Sequence, residues 1–136
     1  MATVVIFDAF PEAAAEGKHD LSSDTLKVVL TDAAPSKTTN TQYSDLTAEI
    51  AAGNGYMTGG VTATVDSSSQ TGGVYTLVLS AVSWTAAGGD IATNRYAVLY
   101  NDTATNKDLI ACADFGVSAV IADGNTETVN GTWIGA

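Results

Sequence analysis

The chain has 136 residues, a hydrophobic fraction of 46% and a charged fraction of 15%, a balance that suits one folded domain and argues against disorder. Five Lys+Arg stand against 15 Asp+Glu, a formal net charge of -10, which argues against binding nucleic acid or an anionic membrane surface, because both rely on Lys and Arg. No apolar run approaches the ~20 residues that a membrane-crossing helix needs.

The opening Met1-Ala2-Thr3-Val4-Val5-Ile6-Phe7-Asp8 has no basic stretch and no long apolar stretch, so no secretory signal is expected and synthesis is placed in a cytoplasm. Thr3 to Phe7 is β-branched and aromatic, as a first strand or extended arm would be. Pro11 suits the first turn of a short helix through Glu12–Glu16, with Gly17 ending it. Leu26–Thr31 reads as a strand with Leu26, Val28 and Leu30 on one face.

Asp32 to Gln42 is polar, carries Pro35 and reads as a loop. Tyr43, Leu46 and Ile50 fall at helical spacing and predict a second short helix, with Thr41 or Ser44 as its cap. Gly53, Gly55, Gly59 and Gly60 then predict tight turns at positive φ. A phosphate cradle would need a basic residue and a Gly-x-x-x-x-Gly-Lys spacing, and neither is present.

Val61–Val65 alternates with period two, and Val74–Leu79 runs on to Ala81–Trp84 with Tyr75, Leu77 and Leu79 on one face. These two runs predict a hairpin whose long tip is the flexible polar stretch Asp66–Gly73. Arg95–Tyr100, Leu109–Phe115, Val117–Ala122 and Thr126–Ile134 predict the remaining strands, with breaks at Gly116 and at Asp123-Gly124-Asn125. The sum is a mainly β fold: a single domain over residues 1–136, a sandwich or partly open barrel with two short helical insertions in its first half. Residues 1–20 read as an N-terminal arm with a short helix.

Little in the chain points to catalysis. The one histidine, His19, precedes Asp20 and lies close to Ser22 and Ser23, but no nucleophile elbow surrounds these serines; all four read as residues of a surface turn. One Cys and one His cannot make a standard zinc site. Asp102–Asp108 places acidic and amide groups at alternating positions, the oxygen donors that calcium takes, yet it lacks the loop glycine and the distant glutamate. No cofactor is expected. Cys112, in the apolar run Leu109–Ala113, reads as a small buried hydrophobe, with a reactive thiol as the alternative. Trp84 is expected in the core, whereas Trp133 suits either the core or a partner's surface.

Several stretches together resemble a type of small virion protein from tailed bacteriophages. They are Asp24–Thr31, Gly55-Tyr56-Met57-Thr58-Gly59-Gly60, Val82–Ala86, Arg95–Asp102 and Leu109–Gly116, and the similarity spans most of the chain from Leu21 onward. The resemblance implies a non-enzymatic structural role, most like a capsid decoration or cement protein. Such a protein sits on the outer capsid surface, bridges copies of the major capsid protein and often forms trimers at three-fold positions. A tail, tail-adaptor or fibre-associated component is the second reading. A carbohydrate- or receptor-binding β-module is the third, and would draw its aromatic platform from Tyr43, Tyr56, Trp84 and Trp133. The residues expected to meet a partner are Thr3, Val4, Val5, Ile6 and Phe7 at the start and Trp133 and Ile134 at the end.

Overall fold

A computed structural model of the chain describes residues 3–135. Eight strands run in the order β1 (Thr3–Ile6), β2 (Leu26–Thr31), β3 (Val61–Ala63), β4 (Val65–Thr71), β5 (Val74–Thr85), β6 (Ile91–Asn101), β7 (Leu109–Ile121) and β8 (Thr126–Ile134), with one helix, α1 (Phe10–Ala15), between β1 and β2. Two antiparallel sheets result: a five-stranded sheet ordered β1-β7-β6-β2-β3 and a three-stranded sheet ordered β4-β5-β8. Among the described residues no strand closes them into a barrel.

Strand alternation explains how the sheets share a core. Leu26, Val28, Leu30, Ala97, Leu99 and Ala113 of the five-stranded sheet pack in one cluster with Leu77, Leu79, Val82, Trp84, Val129 and Trp133 of the three-stranded sheet. Phe7, Val29, Val98, Tyr100, Leu109 and Cys112 form a second cluster. Trp84 is buried among core residues, as expected of a large aromatic beside the β5 ladder.

Four local expectations need correction. The helix read over Tyr43–Ile50 is only a 3-10 turn at Tyr43–Asp45. Beyond it the backbone is extended: Ile50 N–H donates to Leu30 C=O, and Asp32 N–H donates to Ala48 C=O. Pairing with the end of β2 buries Ile50 without a helical turn. The stretch read as a flexible tip, Asp66–Gly73, is instead most of β4. It pairs with β5 from Ser67↔Val78 to Thr71↔Val74, and only Gly72-Gly73 turns the chain. Both glycines have positive φ (60 and 85), the condition for a two-residue hairpin whose twist matches its strands.

Val61–Val65 is likewise not one strand of that hairpin. Val61–Ala63 pairs with β2, whereas Val65 begins the pairing with β5, so the chain passes from one sheet to the other at Thr64. Finally, Gly116 does not separate two strands. It lies inside β7 at φ 90, where Arg95 alone stands opposite Phe115–Ser118. A bulge absorbs the surplus residues and bows the strand without ending it.

The N-terminal segment is laid into the fold. β1 pairs with β7 from Thr3↔Asp114 to Ile6↔Ala111, Val4 and Ile6 pack on the main core, and Phe7 is buried in the second cluster.

A candidate protein-docking surface

Sheet edges present unpaired backbone groups, and folded proteins usually blunt them with charge, bulges, proline or shortness. Two of the four edges here carry charge with a bulge or register shift, and the other two are short. β3 has only three residues and follows Gly59-Gly60. β4 carries Asp66 and a bulge between Val65 and Ser67. β8 carries Glu127, and its pairing with β5 shifts register twice. β1 is short too, but Thr3-Val4-Val5-Ile6 has no charge, proline or bulge.

The orientation of the β1 backbone follows from its register. Phe7 N–H donates to Ile110 C=O. Hydrogen-bonded positions alternate along an antiparallel pair, so Thr3 and Val5 bond to β7 while the N–H and C=O of Val4 and Ile6 face away from it. Val5 is 44% exposed and borders a mainly apolar recess of about 150 Å³ lined by Phe7, Pro35, Tyr96 and Cys112, with Lys37 and Asp114 also on its wall. Burial pushes the Cys112 thiol up to about 12, so the sulfur is an uncharged apolar wall and not a nucleophile at neutral pH.

The charge of the molecule as a whole is one-sided, although beside β1 it is balanced by the Lys37–Asp8 and Arg95–Asp114 pairs. Every Lys and Arg is held in an ion pair: Lys18–Glu16, Lys27–Asp102, Lys37–Asp8, Arg95–Asp114 and Lys107–Asp102. The Arg95 fork grips Asp114 through Nε at 2.9 Å and Nη2 at 3.2 Å, which holds the Asp114 carboxyl below its usual range. Eleven of the 15 carboxylates have no such partner among the described residues. Among the described residues, therefore, carboxylates are left without an ion-pair partner and no Lys or Arg is.

The residues singled out from sequence divide between core and surface. Thr3 and Val5 are exposed on β1, whereas Phe7 is buried. Trp133 and Ile134 are buried as well, at 1% and 8% exposure, and both belong to the core cluster, next to a register shift opposite Leu77 and Val78 that interrupts the usual alternation. Neither side chain is placed to meet a partner, so the docking role expected of them is corrected to a core role. The aromatic platform does not assemble: Tyr56, Trp84 and Trp133 are buried, and Tyr43 stacks on Tyr100 with ring centroids 4.8 Å apart.

Glu49, which the sequence did not single out, is the hub of that region. It accepts hydrogen bonds from the Tyr43 hydroxyl, from the Tyr56 hydroxyl at 2.7 Å and from Gly59 N–H at 2.8 Å. Tyr100 donates to Gly59 C=O at 2.7 Å. These bonds tie the loop through Gly53–Gly60 to the five-stranded sheet. Burial is the largest reason why the Tyr43 and Tyr56 hydroxyls are pushed far above their ordinary range, with the Glu49 hydrogen bonds next; both remain donors at any physiological pH.

His19 is half-buried, unlike the surface residue expected of its turn. Its ring nitrogen Nδ1 lies 2.9 Å from Asn101 Nδ2, and no bond joins it to Ser22 or Ser23. Ser22 Oγ donates to Asp20 at 2.7 Å. The Asp102–Asp108 loop is closed by the protein's own cations, since Lys107 Nζ lies 2.6 Å from Asp102 Oδ1 and Lys27 approaches its other oxygen. Among the described residues no three His, Cys, Asp or Glu side chains gather as a metal set would. No helix among them is long and apolar enough to cross a membrane. Comparison with protein-family models, with curated proteins and with solved structures finds no match to this chain.

Proposed function

We propose that the chain is a capsid decoration protein of a tailed-phage virion, a non-enzymatic β-sandwich that docks on the outer head lattice and binds the major capsid protein. The sequence resemblance supports this reading, and one structural observation carries it: β1 is an edge strand without charge, proline or bulge on an acidic molecule whose five Lys and Arg are all ion-paired. An extended segment of a shell subunit would add to β1 through the outward groups of Val4 and Ile6, with an apolar side chain in the recess beside Val5. Basic residues around that segment would meet the free carboxylates, which speeds encounter and fixes orientation. Many such contacts on a symmetric shell then act together, each modest by itself. Copies on the shell are expected to associate as trimers, as the resemblance implies.

The test is reconstitution on purified heads that lack the protein. The wild-type chain should bind at low salt and weaken as salt rises. Removing residues 1–8 would also strip Phe7 from the core, so Val5→Lys is the sharper variant: it places a cation on the exposed face of β1 and should lower occupancy at least about tenfold while the fold persists. Undetectable binding of the wild-type chain, or undiminished occupancy by Val5→Lys, would sink the proposal.

A further inference from the structure

A pocket of about 400 Å³ opens where three stretches of chain meet: Gly17-Lys18 after α1, the turn Asp20–Asp24 before β2, and the β6–β7 loop over Thr103–Asp108. Its size falls in the range of small-ligand sites. Its walls are fixed from behind. The buried Asn101 donates from Nδ2 to Asp24 Oδ2 at 2.7 Å, and Asp20 N–H donates to the same oxygen at 2.8 Å. Thr25 N–H donates to Thr103 Oγ1 at 2.8 Å. The shape therefore exists before anything binds.

Three carboxylates, Asp20, Asp24 and Asp108, line this space against one cation, Lys18, which pairs with Glu16 at 3.5 Å. Acidic side chains in a turn are ordinarily a solvated surface, but Asp108 is not solvated. It is 8% exposed, and its carboxylate has no hydrogen bond or ion pair among the described residues. Buried carboxylates are normally paired, because a charge taken out of water without compensation is costly. Among the described residues, the side-chain atoms that are fully enclosed and unpartnered are His19 Nε2 and the two indole nitrogens. The Asp108 oxygens are not among them, so they keep an opening, and this pocket is what they open on.

The missing partner is a cation, and the geometry selects its kind. The carboxylates do not gather as a metal set would. An organic cation that spreads its charge over several N–H groups needs no such set. A guanidinium is planar, matches a carboxylate with both oxygens free through two parallel bonds, and loses less hydration on burial than an ammonium does. The exposed Thr105 and Asn106 carry oxygens for its remaining N–H groups. We infer that this pocket binds the guanidinium of an arginine side chain on a partner's exposed segment, with Asp108 as the two-oxygen acceptor. The inference does not depend on the virion reading or on docking at β1.

Titration of the chain with acetyl-Gly-Arg-Gly-amide, followed residue by residue through amide NMR shifts, tests it. Weak but saturable binding is expected, with shifts confined to residues 17–24 and 103–108. The same peptide with citrulline, which keeps the shape and lacks the charge, should not bind, and the lysine peptide should bind more weakly. Asp108→Asn should lower affinity at least about tenfold, whereas Asp123→Asn, which removes the same charge from an exposed turn, should change it less than about twofold. Far-UV circular dichroism checks that each variant is folded. Should Asp108→Asn fail to fold, Thr105→Arg keeps the test, because a guanidinium supplied from the pocket's own wall should block the peptide and raise the urea midpoint. Shifts spread over the whole surface, no saturation, equal binding of the citrulline or lysine peptide, displacement of the arginine peptide by calcium at equal ionic strength, or undiminished binding by Asp108→Asn or Thr105→Arg overturns the inference.

Discussion

At the residue scale, Asn101 fixes the chemistry of His19. Asn101 is fully buried, and its Oδ1 accepts from Thr103 N–H at 2.9 Å and Ala104 N–H at 3.2 Å. Its Nδ2 therefore faces Asp24 at 2.7 Å and His19 Nδ1 at 2.9 Å. A donor in that position requires His19 Nδ1 to be the acceptor, so the imidazole is neutral with its proton on Nε2. Burial lowers the His19 pKa below 6.5 and outweighs the opposing pull of Asp108 and Asp24. A histidine whose pKa is depressed by folding contributes stability that is present above its unfolded pKa and is lost as pH falls below it. The urea midpoint should thus drop between neutral pH and about pH 5, and His19→Asn, which keeps an acceptor near Nδ1 but does not titrate, should flatten that drop. An identical pH profile in the variant would show that His19 is not the group responsible. None of this was legible in the sequence, because Asn101 lies 82 residues from His19. The same is true of Glu49, whose three donors are recruited by the folding of a loop. The burial of Trp84 and Cys112 was legible, since apolar strand runs around them leave little other place to go.

At the element scale, the glycine-rich loop shows where backbone freedom is required. Gly60 has φ +80, and a Cβ there would stand 1.9 Å from the Val28 carbonyl oxygen of β2. Gly17 has a similar φ of +76 with nothing within 4 Å. Gly60→Ala should therefore destabilise the protein by about 2–4 kcal/mol and Gly17→Ala by only about 1 kcal/mol, measured by urea unfolding. Equal costs would mean that the close approach to β2 is not what demands glycine. The glycines at Gly53–Gly60 announced their turns in the sequence because positive φ is a local requirement. β2 and β5 were also legible through alternation, and β8 through the Asp123-Gly124-Asn125 turn that precedes it. β4 was not, because an edge strand exposed on both faces tolerates serine and carries no apolar period. The extended stretch at Leu46–Ile50 was masked by an accident of spacing: Tyr43, Leu46 and Ile50 sit at helical intervals, yet Tyr43 stacks on Tyr100 while Ile50 is buried by pairing with β2. The bulge at Gly116 looked like a break because a glycine at positive φ serves both purposes equally well.

At the scale of the whole molecule, charge and edges act together. The -10 net charge keeps copies apart in most orientations, and the engagement of all five cations leaves attraction to basic partners as the dominant long-range interaction. The β1 strand, which carries no charged side chain, interrupts that field. The edge is proposed to dock on a shell subunit, a contact that salt would weaken. The acidity was legible from composition alone. Thr3–Phe7 was legible as an extended, partner-facing segment, whereas its place as an edge strand on β7 was not, since that pairing joins residues more than a hundred positions apart. The most direct test of the docking role is the copy number and position of this chain in purified virions, by quantitative mass spectrometry together with cryo-electron microscopy of the particle. Hundreds of copies on the outer head lattice, with β1 against a shell subunit, are the predicted result; a few copies confined to the tail, or none in the particle, would contradict it.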